Sequence, residues 1–169
     1  LGVNIPLLCI QNYLARKIIL QPFIQNEFLN WSNNSNGAIS IDIDFSILFI
    51  DLDETLIIND NKVDRLIKLI EIFKSSNKEV ILVTRHKEED ILSTLNLAGI
   101  DSDLFKKIIH VRKKEKKSQF INSILYSKKI AKEGIFIDNE FPERLDVYKH
   151  CNIATFDVNG IDFINVPKR

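Results

Sequence analysis

Cysteine is scarce in this chain, and its placement excludes two classes of protein. The 169 residues include two cysteines, Cys9 and Cys151, which lie far apart and form neither a CxxC pair nor a metal-ligand spacing. A disulfide framework and a cysteine-ligated metal site both need more cysteines at closer spacings. We therefore expect both residues to be reduced thiols in the core.

An excess of charge of one sign is also lacking. The 23 basic side chains balance the 23 acidic ones, so the formal net charge is zero. A chain without net positive charge has no global attraction to nucleic acid or to an anionic membrane surface. We therefore expect neither as a partner, and any charged ligand must be recognised locally.

Long apolar runs are missing as well. No segment approaches the roughly 18 apolar residues that a membrane-spanning helix requires, and there is no basic-then-apolar leader. These absences predict a cytoplasmic protein without a membrane partner. The chain begins at Leu1 and not at methionine, so we expect it to be a fragment of something longer.

What the chain does contain is the composition of one globular domain. Apolar residues make up 45% and charged residues 27%, which argues against disorder. The apolar residues of 5–29 have a loose helical spacing, and a polar stretch at 31–37 separates them from the rest. We predict a short N-terminal helical appendage, or the tail of a preceding domain, at residues 1–36, and a catalytic domain at 37–169.

Apolar patterning after residue 37 predicts alternating strands and helices. The predicted strands are 38–44, with the alternation of an exposed edge strand, then 46–53, 79–84, 106–111, 134–138 and 152–158. The predicted helices are 62–76, 88–98, 118–126 and 142–150. This alternation indicates an α/β fold of three layers, a doubly wound and mainly parallel sheet covered by helices on both faces.

Polar side chains follow three of these strands. They are Asp51 and Asp53, then Thr84, Arg85 and His86, then Asp138. Ligands of such sheets bind beyond the carboxyl ends of the strands. Two carboxylates about 4 Å apart repel by roughly 4 kcal/mol at an effective dielectric near 20, so a cluster of three needs a cation. A hard ion that prefers oxygen ligands, Mg²⁺ above all, meets that need.

The same residues form a set suited to phosphoryl transfer. Asp51 is the candidate nucleophile that would take up the phosphoryl group, and Asp53 is the candidate acid and base. The Thr84 hydroxyl and the Lys117 ammonium are candidates to hold the phosphoryl oxygens. We therefore predict an aspartyl-phosphate mechanism.

Arg85 and His86 leave two interpretations open. Because they follow Thr84 at the rim, both are candidate contacts to the leaving group of the substrate. In the second interpretation, either side chain caps the next helix or pairs with Glu88 or Glu89.

Two segments resemble the first two motifs of the haloacid dehalogenase superfamily of phosphatases and phosphotransferases. FIDLDETLI (49–57) looks like the motif DxDxT. That resemblance implies Asp51 as nucleophile, Asp53 as acid and base with its backbone carbonyl as a metal ligand, and we assign Thr55 to substrate binding. VILVTRH (80–86) is similar to the second motif, which implies Thr84 as the phosphate-binding hydroxyl.

The third motif of this superfamily is a lysine that opens a helix before the last catalytic strand. Lys117 of KKSQFI matches it best, with Lys116 and Lys114 as alternatives.

The segment IFIDNEFPE (135–143) resembles the fourth motif, which implies Asp138 as a metal ligand. Many relatives carry a second acid directly after the first or four to five residues later. Here Asn139 takes the adjacent position, so Glu143, or alternatively Glu140, is expected to complete the metal set.

A second resemblance concerns the whole chain. FIDNEFPERLDV followed by NIATFDV resembles haloacid dehalogenase domains fused behind ATP-grasp domains in carbohydrate or capsule biosynthesis proteins, and LGVNIPLLCIQNYLA is similar to the closing segment of an ATP-grasp domain. It implies a neighbouring ATP-grasp-like domain as a partner, with a homo-oligomer as the alternative.

Members of the superfamily differ mainly in inserted cap domains. About two dozen residues separate Thr55 from the next predicted strand, and they are patterned as one helix. The resemblance therefore implies a capless or minimally capped member, whose open site suits a large substrate or closure by another chain or domain.

The sequence thus supports one leading function and two alternatives. The first is a magnesium-dependent phosphomonoester hydrolase or phosphotransferase acting on a sugar phosphate or similar small metabolite. A signalling receiver domain also uses acidic residues, Thr and Lys, but it places its phosphorylated Asp on the third strand, whereas the candidate nucleophile here belongs to the first acidic pair. The second alternative is a non-catalytic domain of the same fold that binds a phosphorylated ligand or supports a neighbouring enzyme, which Asn139 keeps open.

Overall fold

The structure is a computed structural model that describes residues 30–33, 39–42, 45–87, 90–130 and 133–165. The predicted helical appendage at 5–29 and Cys9 lie outside these ranges, and the boundary between residues 36 and 37 stays a prediction. No helix in the described ranges combines the length and apolar character needed to cross a membrane.

The described chain starts with two strands, β1 (Asn30–Asn33) and β2 (Ile39–Asp42). The next elements are β3 (Ile47–Ile50), β4 (Ile57–Ile58), β5 (Asn61–Lys62), α1 (Asp64–Ser75), β6 (Glu79–Thr84) and α2 (Ile91–Leu97). The last are β7 (Lys107–His110), α3 (Lys117–Lys128), β8 (Gly134–Ile137), α4 (Phe141–Cys151), β9 (Ala154–Phe156) and β10 (Ile164–Asn165). Short 3₁₀ turns lie at Ser102–Leu104 and Val158–Phe163.

The main sheet confirms the predicted α/β architecture. It has five strands in the order β7-β6-β3-β8-β9, and every neighbouring pair is parallel. Numbered along the chain, this is the order 3-2-1-4-5 of a Rossmann-like sheet, whereas flavodoxin-like sheets, the class to which receiver domains belong, have the order 2-1-3-4-5. The strand order therefore argues against a receiver domain.

Helices cover both faces of this sheet, because successive residues of a strand point to opposite sides. Leu48 and Ile50 of β3 join one buried cluster with residues of α1 and α2, while Ile47 and Phe49 join a second cluster with residues of α3 and α4. The buried strands and their covering helices form the three predicted layers.

Helix α1 shows how the apolar spacing positions these layers. Its buried side chains are Leu66, Ile67, Leu69, Ile70 and Phe73. Residues three and four apart lie on the same face of a helix, so this spacing turns one apolar stripe to the sheet. The Phe73 ring packs edge-on against Phe45, with ring centroids 4.8 Å apart. The predicted helix at 62–76 is confirmed with both ends slightly shortened.

The small sheet beside the main one differs from the prediction. The polar stretch 31–37 was expected to be a linker, yet β1 includes its first residues and pairs antiparallel with β2. The strand predicted at 38–44 is confirmed by β2, but its placement at the edge is wrong, because β2 lies between β1 and β10. β10 is distant in sequence, so no local pattern indicates that it pairs with β2.

A short hairpin follows the first acidic segment, where the sequence predicted one helix alone. β4 and β5 pair antiparallel, and the two residues between them, Asn59 and Asp60, have φ angles of 50° and 61°. Asn and Asp tolerate positive φ better than most residues and favour such two-residue turns. All residues from Ile50 to Glu79 are described, and the hairpin and α1 are the regular elements between those strands.

Candidate active site

The two acidic strand ends lie side by side at the centre of the sheet. β3 and β8 are neighbours, and the chain leaves this pair in opposite directions along the sheet. The Asp51 N–H donates to Ile137 O at 3.0 Å, and the Asp138 N–H donates to Phe156 O at 3.2 Å, so both residues extend the strand pairing. Such a reversal of strand order opens a crevice where ligands of this fold class bind.

Lys117 connects these two carboxylates. Its Nζ lies 2.7 Å from Asp51 Oδ1 and 2.7 Å from Asp138 Oδ2, and its side chain is 3% exposed. The alternatives lie elsewhere: the Nζ of Lys116 contacts Asp146 Oδ1 at 2.7 Å, and Lys114 is exposed. Of the three lysines left open by the sequence, Lys117 is the one placed at the strand ends.

Burial governs the electrostatics of this triad. It raises the pKa of Asp51 to about 7 against the lowering effect of the Lys117 ammonium, and the charge of Asp138 adds to the rise. Burial also raises the pKa of Asp138. Burial opposes the charge of Lys117, but the two carboxylates outweigh it and raise its pKa. Two acids thus share one cation in a site with little solvent.

Asp53 lies two residues beyond Asp51, in a more exposed position. Its side chain is 50% exposed, and its Oδ1 and Oδ2 lie 2.8 and 3.1 Å from Nδ1 of His86. The chain turns sharply after Asp53: the backbone N–H groups of residues 55, 56 and 57 all donate to the carbonyl oxygen of Leu52. His86 therefore pairs with Asp53, a contact that the sequence did not reveal.

Thr84 and Thr55 have no exposed side-chain surface. The Thr84 hydroxyl accepts a hydrogen bond from the His86 N–H at 3.1 Å. The Thr55 hydroxyl donates to Asn139 Oδ1 at 3.2 Å and accepts from the Asn139 N–H at 3.1 Å. Both threonines hold loops at the rim in this conformation, and their roles toward phosphate and substrate stay predictions. Asn139, the departure from the fourth motif, joins the first and fourth motif segments.

Arg85 and Glu143 pair with each other. The Nε of Arg85 donates to Glu143 Oε1 at 2.8 Å, and its guanidinium also donates to the carbonyl of Arg112 at 3.0 Å. The carboxylate expected to complete the metal set is thus engaged by a cation. Within the described ranges no three His, Cys, Asp or Glu side chains are grouped so as to hold a metal ion. The metal set of Asp51, Asp53, Asp138 and Glu143 therefore stays a prediction.

Two cavities open at this edge of the sheet. The first, which we call the rim cavity, has a volume of about 440 Å³ and is lined by Asp51, Asp53, Glu54, Arg85, His86, Lys87, Lys117, Asn139 and Glu140. The second, the side cavity, has a volume of about 590 Å³ and is lined by Ile57, Asp60, His86, Asp90, Ser93, Thr94, Leu97 and Ala98. His86 is part of both walls, so the cavities are neighbours.

Two other sequence predictions concern Cys151 and the helix predicted at 88–98. Cys151 is a free, buried thiol as expected, and its Sγ lies 3.3 Å from Ser118 O. Helix α2 begins at Ile91, where Asp90 accepts a hydrogen bond from the Ser93 N–H, and it is followed by Gly99 with a φ angle of 67°. That left-handed conformation suits glycine, which often follows the end of a helix.

Comparison with known proteins identifies the fold. No family model and no curated protein matches the sequence. A haloacid dehalogenase-like family hydrolase from Streptococcus pneumoniae is similar with a TM-score of 0.54 and 12% identity, covering 74% of this chain and 95% of that one. The 3-deoxy-D-manno-octulosonate 8-phosphate phosphatase from Yersinia pestis is similar with a TM-score of 0.53 and 13% identity. The match covers 76% of this chain and 74% of that one.

A third similar structure is the N-terminal part of a Bacteroides fragilis protein, which contains a phosphatase domain complexed with Mg. Its TM-score is 0.53 and its identity 16%, and the match covers 74% of this chain and 36% of that one. At such identities the likeness establishes the fold and not the activity. The chain therefore has the Rossmann-like fold of haloacid dehalogenase-like hydrolases.

Proposed function

We propose that this chain is a magnesium-dependent phosphomonoester hydrolase or phosphotransferase that forms an aspartyl phosphate on Asp51. The observation that carries the proposal is the buried contact of Lys117 with both Asp51 and Asp138 at the strand reversal. An ion pair at the surface would not indicate a function. Burying two acids around one lysine disfavours the fold, so we infer that the arrangement is kept for a function and not for stability. The likeness in fold to phosphatases supports the same conclusion.

The residues divide the reaction between them. A carboxylate oxygen of Asp51 attacks phosphorus, and the bond from phosphorus to the leaving oxygen breaks while Asp53 gives that oxygen a proton. Asp53 then takes a proton from water, whose oxygen attacks phosphorus and releases phosphate together with the carboxylate of Asp51. In the transferase version an acceptor hydroxyl replaces water. The Lys117 ammonium, held by Asp138, offers positive charge to the phosphoryl oxygens.

The donor atoms at the rim suit a hard divalent ion. The carboxylates of Asp51 and Asp138 share a single ammonium, so their charge is not fully balanced, and oxygen donors are those that Mg²⁺ prefers. These two carboxylates and the Asp53 carbonyl would hold the ion. When bound, Mg²⁺ neutralises charge on the phosphoryl oxygens. Glu143 would join only by leaving Arg85.

Turnover of p-nitrophenyl phosphate tests this proposal. We expect slow phosphate release with millimolar Mg²⁺ and none after chelation with EDTA, with activity restored when Mg²⁺ is added back. The same preparation in Ca²⁺ is the control for nonspecific divalent effects, because the larger ion tolerates different coordination. If no phosphate is released with or without Mg²⁺, the non-catalytic alternative is favoured, and a rate unaffected by EDTA would contradict the metal requirement.

The side cavity supports a hydroxyl-rich leaving group. Its lining combines the carboxylates of Asp60 and Asp90 with the hydroxyls of Ser93 and Thr94, beside an apolar wall of Ile57, Leu97 and Ala98. The rim cavity, in contrast, is lined by Arg85, Lys87 and Lys117 among its acids. Carboxylates accept hydrogen bonds from hydroxyls and repel anions. We therefore propose a sugar phosphate, bound with its phosphate in the rim cavity and its uncharged part in the side cavity.

A matched pair of substrates tests this polarity. We expect glucose 6-phosphate to be hydrolysed with a kcat/KM at least about tenfold above that of 6-phosphogluconate, which adds a carboxylate. Asp60→Asn should narrow the difference, and asparagine is suited to the positive φ angle at this position. Equal kcat/KM values for the two substrates in the wild-type protein would overturn the assignment of the side cavity.

A further inference from the structure

The His86 side chain makes one hydrogen bond with each of its ring nitrogens. Nδ1 lies 2.8 Å from Asp53 Oδ1, and Nε2 lies 2.9 Å from Thr94 Oγ1 on helix α2. The ring is 13% exposed, whereas the carboxylate it contacts is 50% exposed. A largely buried ring thus holds a largely open carboxylate.

The backbone of His86 is fixed as well. Its N–H donates to Thr84 Oγ1 at 3.1 Å, and its carbonyl lies 2.8 Å from Nε2 of His110 on the neighbouring strand. Main chain and ring are therefore tied to β6, β7 and α2. The position of the ring is set by the sheet and not by the exposed loop that carries Asp53.

We propose that His86 is a positioning residue for the acid and base Asp53, an inference that rests on the proposed function. When Asp53 is ionised its oxygens only accept, so Nδ1 donates in this bond, while Nε2 is in hydrogen-bond contact with the Thr94 hydroxyl. The chain Thr94, His86, Asp53 orients the carboxylate toward the rim cavity. Without it, an exposed carboxylate samples several rotamers, and a misplaced acid or base loses much of its effect.

The inference separates kcat from substrate binding. His86→Ala should lower kcat for phenyl phosphate by about tenfold or more, with KM changed by less than about twofold, because Asp53 acts in the transition state. The loss should be smaller with 2,4-dinitrophenyl phosphate, whose leaving group needs no proton. His86→Asn, which retains an N–H donor near the place of Nδ1, should recover most of the loss.

The second ring contact provides a matched pair of variants. Thr94→Val removes the hydroxyl that holds Nε2 and keeps the volume, so kcat should fall in the same direction as in His86→Ala but by less. Thr94→Ser retains the hydroxyl and should stay near the wild-type rate. If packing alone held the ring, Thr94→Val and Thr94→Ser would have equal kcat values. That result would contradict the proposed series of hydrogen bonds.

The decisive measurement is a double-mutant cycle with 2,4-dinitrophenyl phosphate as substrate. A residue that acts through Asp53 has nothing to position in the Asp53→Ala background, so His86→Ala should then change the rate by less than about twofold. Equal losses in both backgrounds would overturn the inference. If Asp51→Asn retains the wild-type rate, the proposed function itself fails, whereas an inactive Asp51→Asn with an unaffected His86→Ala removes only the role of His86.

Discussion

Replacing Asp51 by asparagine should lower the rate of phosphate release from p-nitrophenyl phosphate by about 10³-fold or more, while leaving the fold intact. An amide oxygen is a poor nucleophile and forms no stable acyl phosphate, so the variant loses the covalent route altogether. It still accepts a hydrogen bond from Lys117, so the geometry around the ammonium is preserved. Wild-type turnover by this variant would remove the enzyme interpretation.

The same variant should be more stable than the wild-type protein when the metal is removed. Burial raises the pKa of Asp51 to about 7, far above its ordinary value of 3.8, so between these values the folded state binds a proton that the unfolded state does not. Stability of the metal-free wild type therefore falls as pH rises from about 4 toward 7. Asparagine carries no such charge at any pH.

Thermal unfolding in EDTA measures this effect. We expect Asp51→Asn to melt several degrees above wild type at pH 8, with the difference shrinking as pH falls toward 4. Glu54→Gln is a suitable control, because this neighbouring carboxylate is exposed and its loss should not reproduce the pattern. A lower melting temperature for Asp51→Asn at pH 8 would show that the Asp51 carboxylate favours the fold.

The sequence was most informative where one local pattern decides the outcome. The spacing of Leu66, Ile70 and Phe73 predicted α1, and the continuous apolar run before Asp51 predicted a buried central strand, because burial on both faces of a parallel sheet leaves no polar position. The residues at the strand ends followed from the same logic. Strand ends share one edge whatever the register, so the meeting of Asp51 and Asp138 needed no knowledge of side-chain contacts.

Contacts between side chains from different segments were beyond such patterns. The pairing of His86 with Asp53 depends on how two loops leave adjacent strands, and the partners that the sequence offered, Glu88 and Glu89, lie outside the described residues. The bond of Thr55 with Asn139 spans 84 positions. Arg85 similarly lies just after β6, whereas its partner Glu143 lies in the first turn of α4. Each pair requires the three-dimensional register that composition and periodicity do not contain.

The choice among the lysines illustrates the same limit at the scale of one residue. Lys116 and Lys117 are adjacent at the start of α3, and successive residues of a helix point about 100° apart. Lys116 is exposed and contacts Asp146 of α4, whereas Lys117 is buried between the strand ends. A sequence motif places a lysine at the helix start, but the rotation of that helix decides which lysine enters the site.

Replacing Lys117 by methionine should have the largest effect on stability of any single change at this site. It removes the ammonium between Asp51 and Asp138 and leaves two buried carboxylates facing each other. Removing one partner of a buried ion pair costs about 3–5 kcal/mol, and here the loss is shared by two acids. We expect a melting temperature lower by about 10 °C or more at pH 8, and no phosphate release.

The matched control is Lys116→Met, one residue earlier. Its ion pair with Asp146 lies at the surface, where such pairs contribute about 0–1 kcal/mol, so the variant should stay folded and active. For Lys117→Met, lowering the pH should restore part of the lost stability, because burial already raises the pKa of both carboxyls and the loss of the ammonium raises them further. Comparable melting temperatures for the two methionine variants at pH 8 would mean that Lys117 does not bridge the acids. Since the Lys117 ammonium lowers the pKa of Asp51 against the effect of burial, that result would also leave Asp51 without the partner that favours its ionised, nucleophilic form.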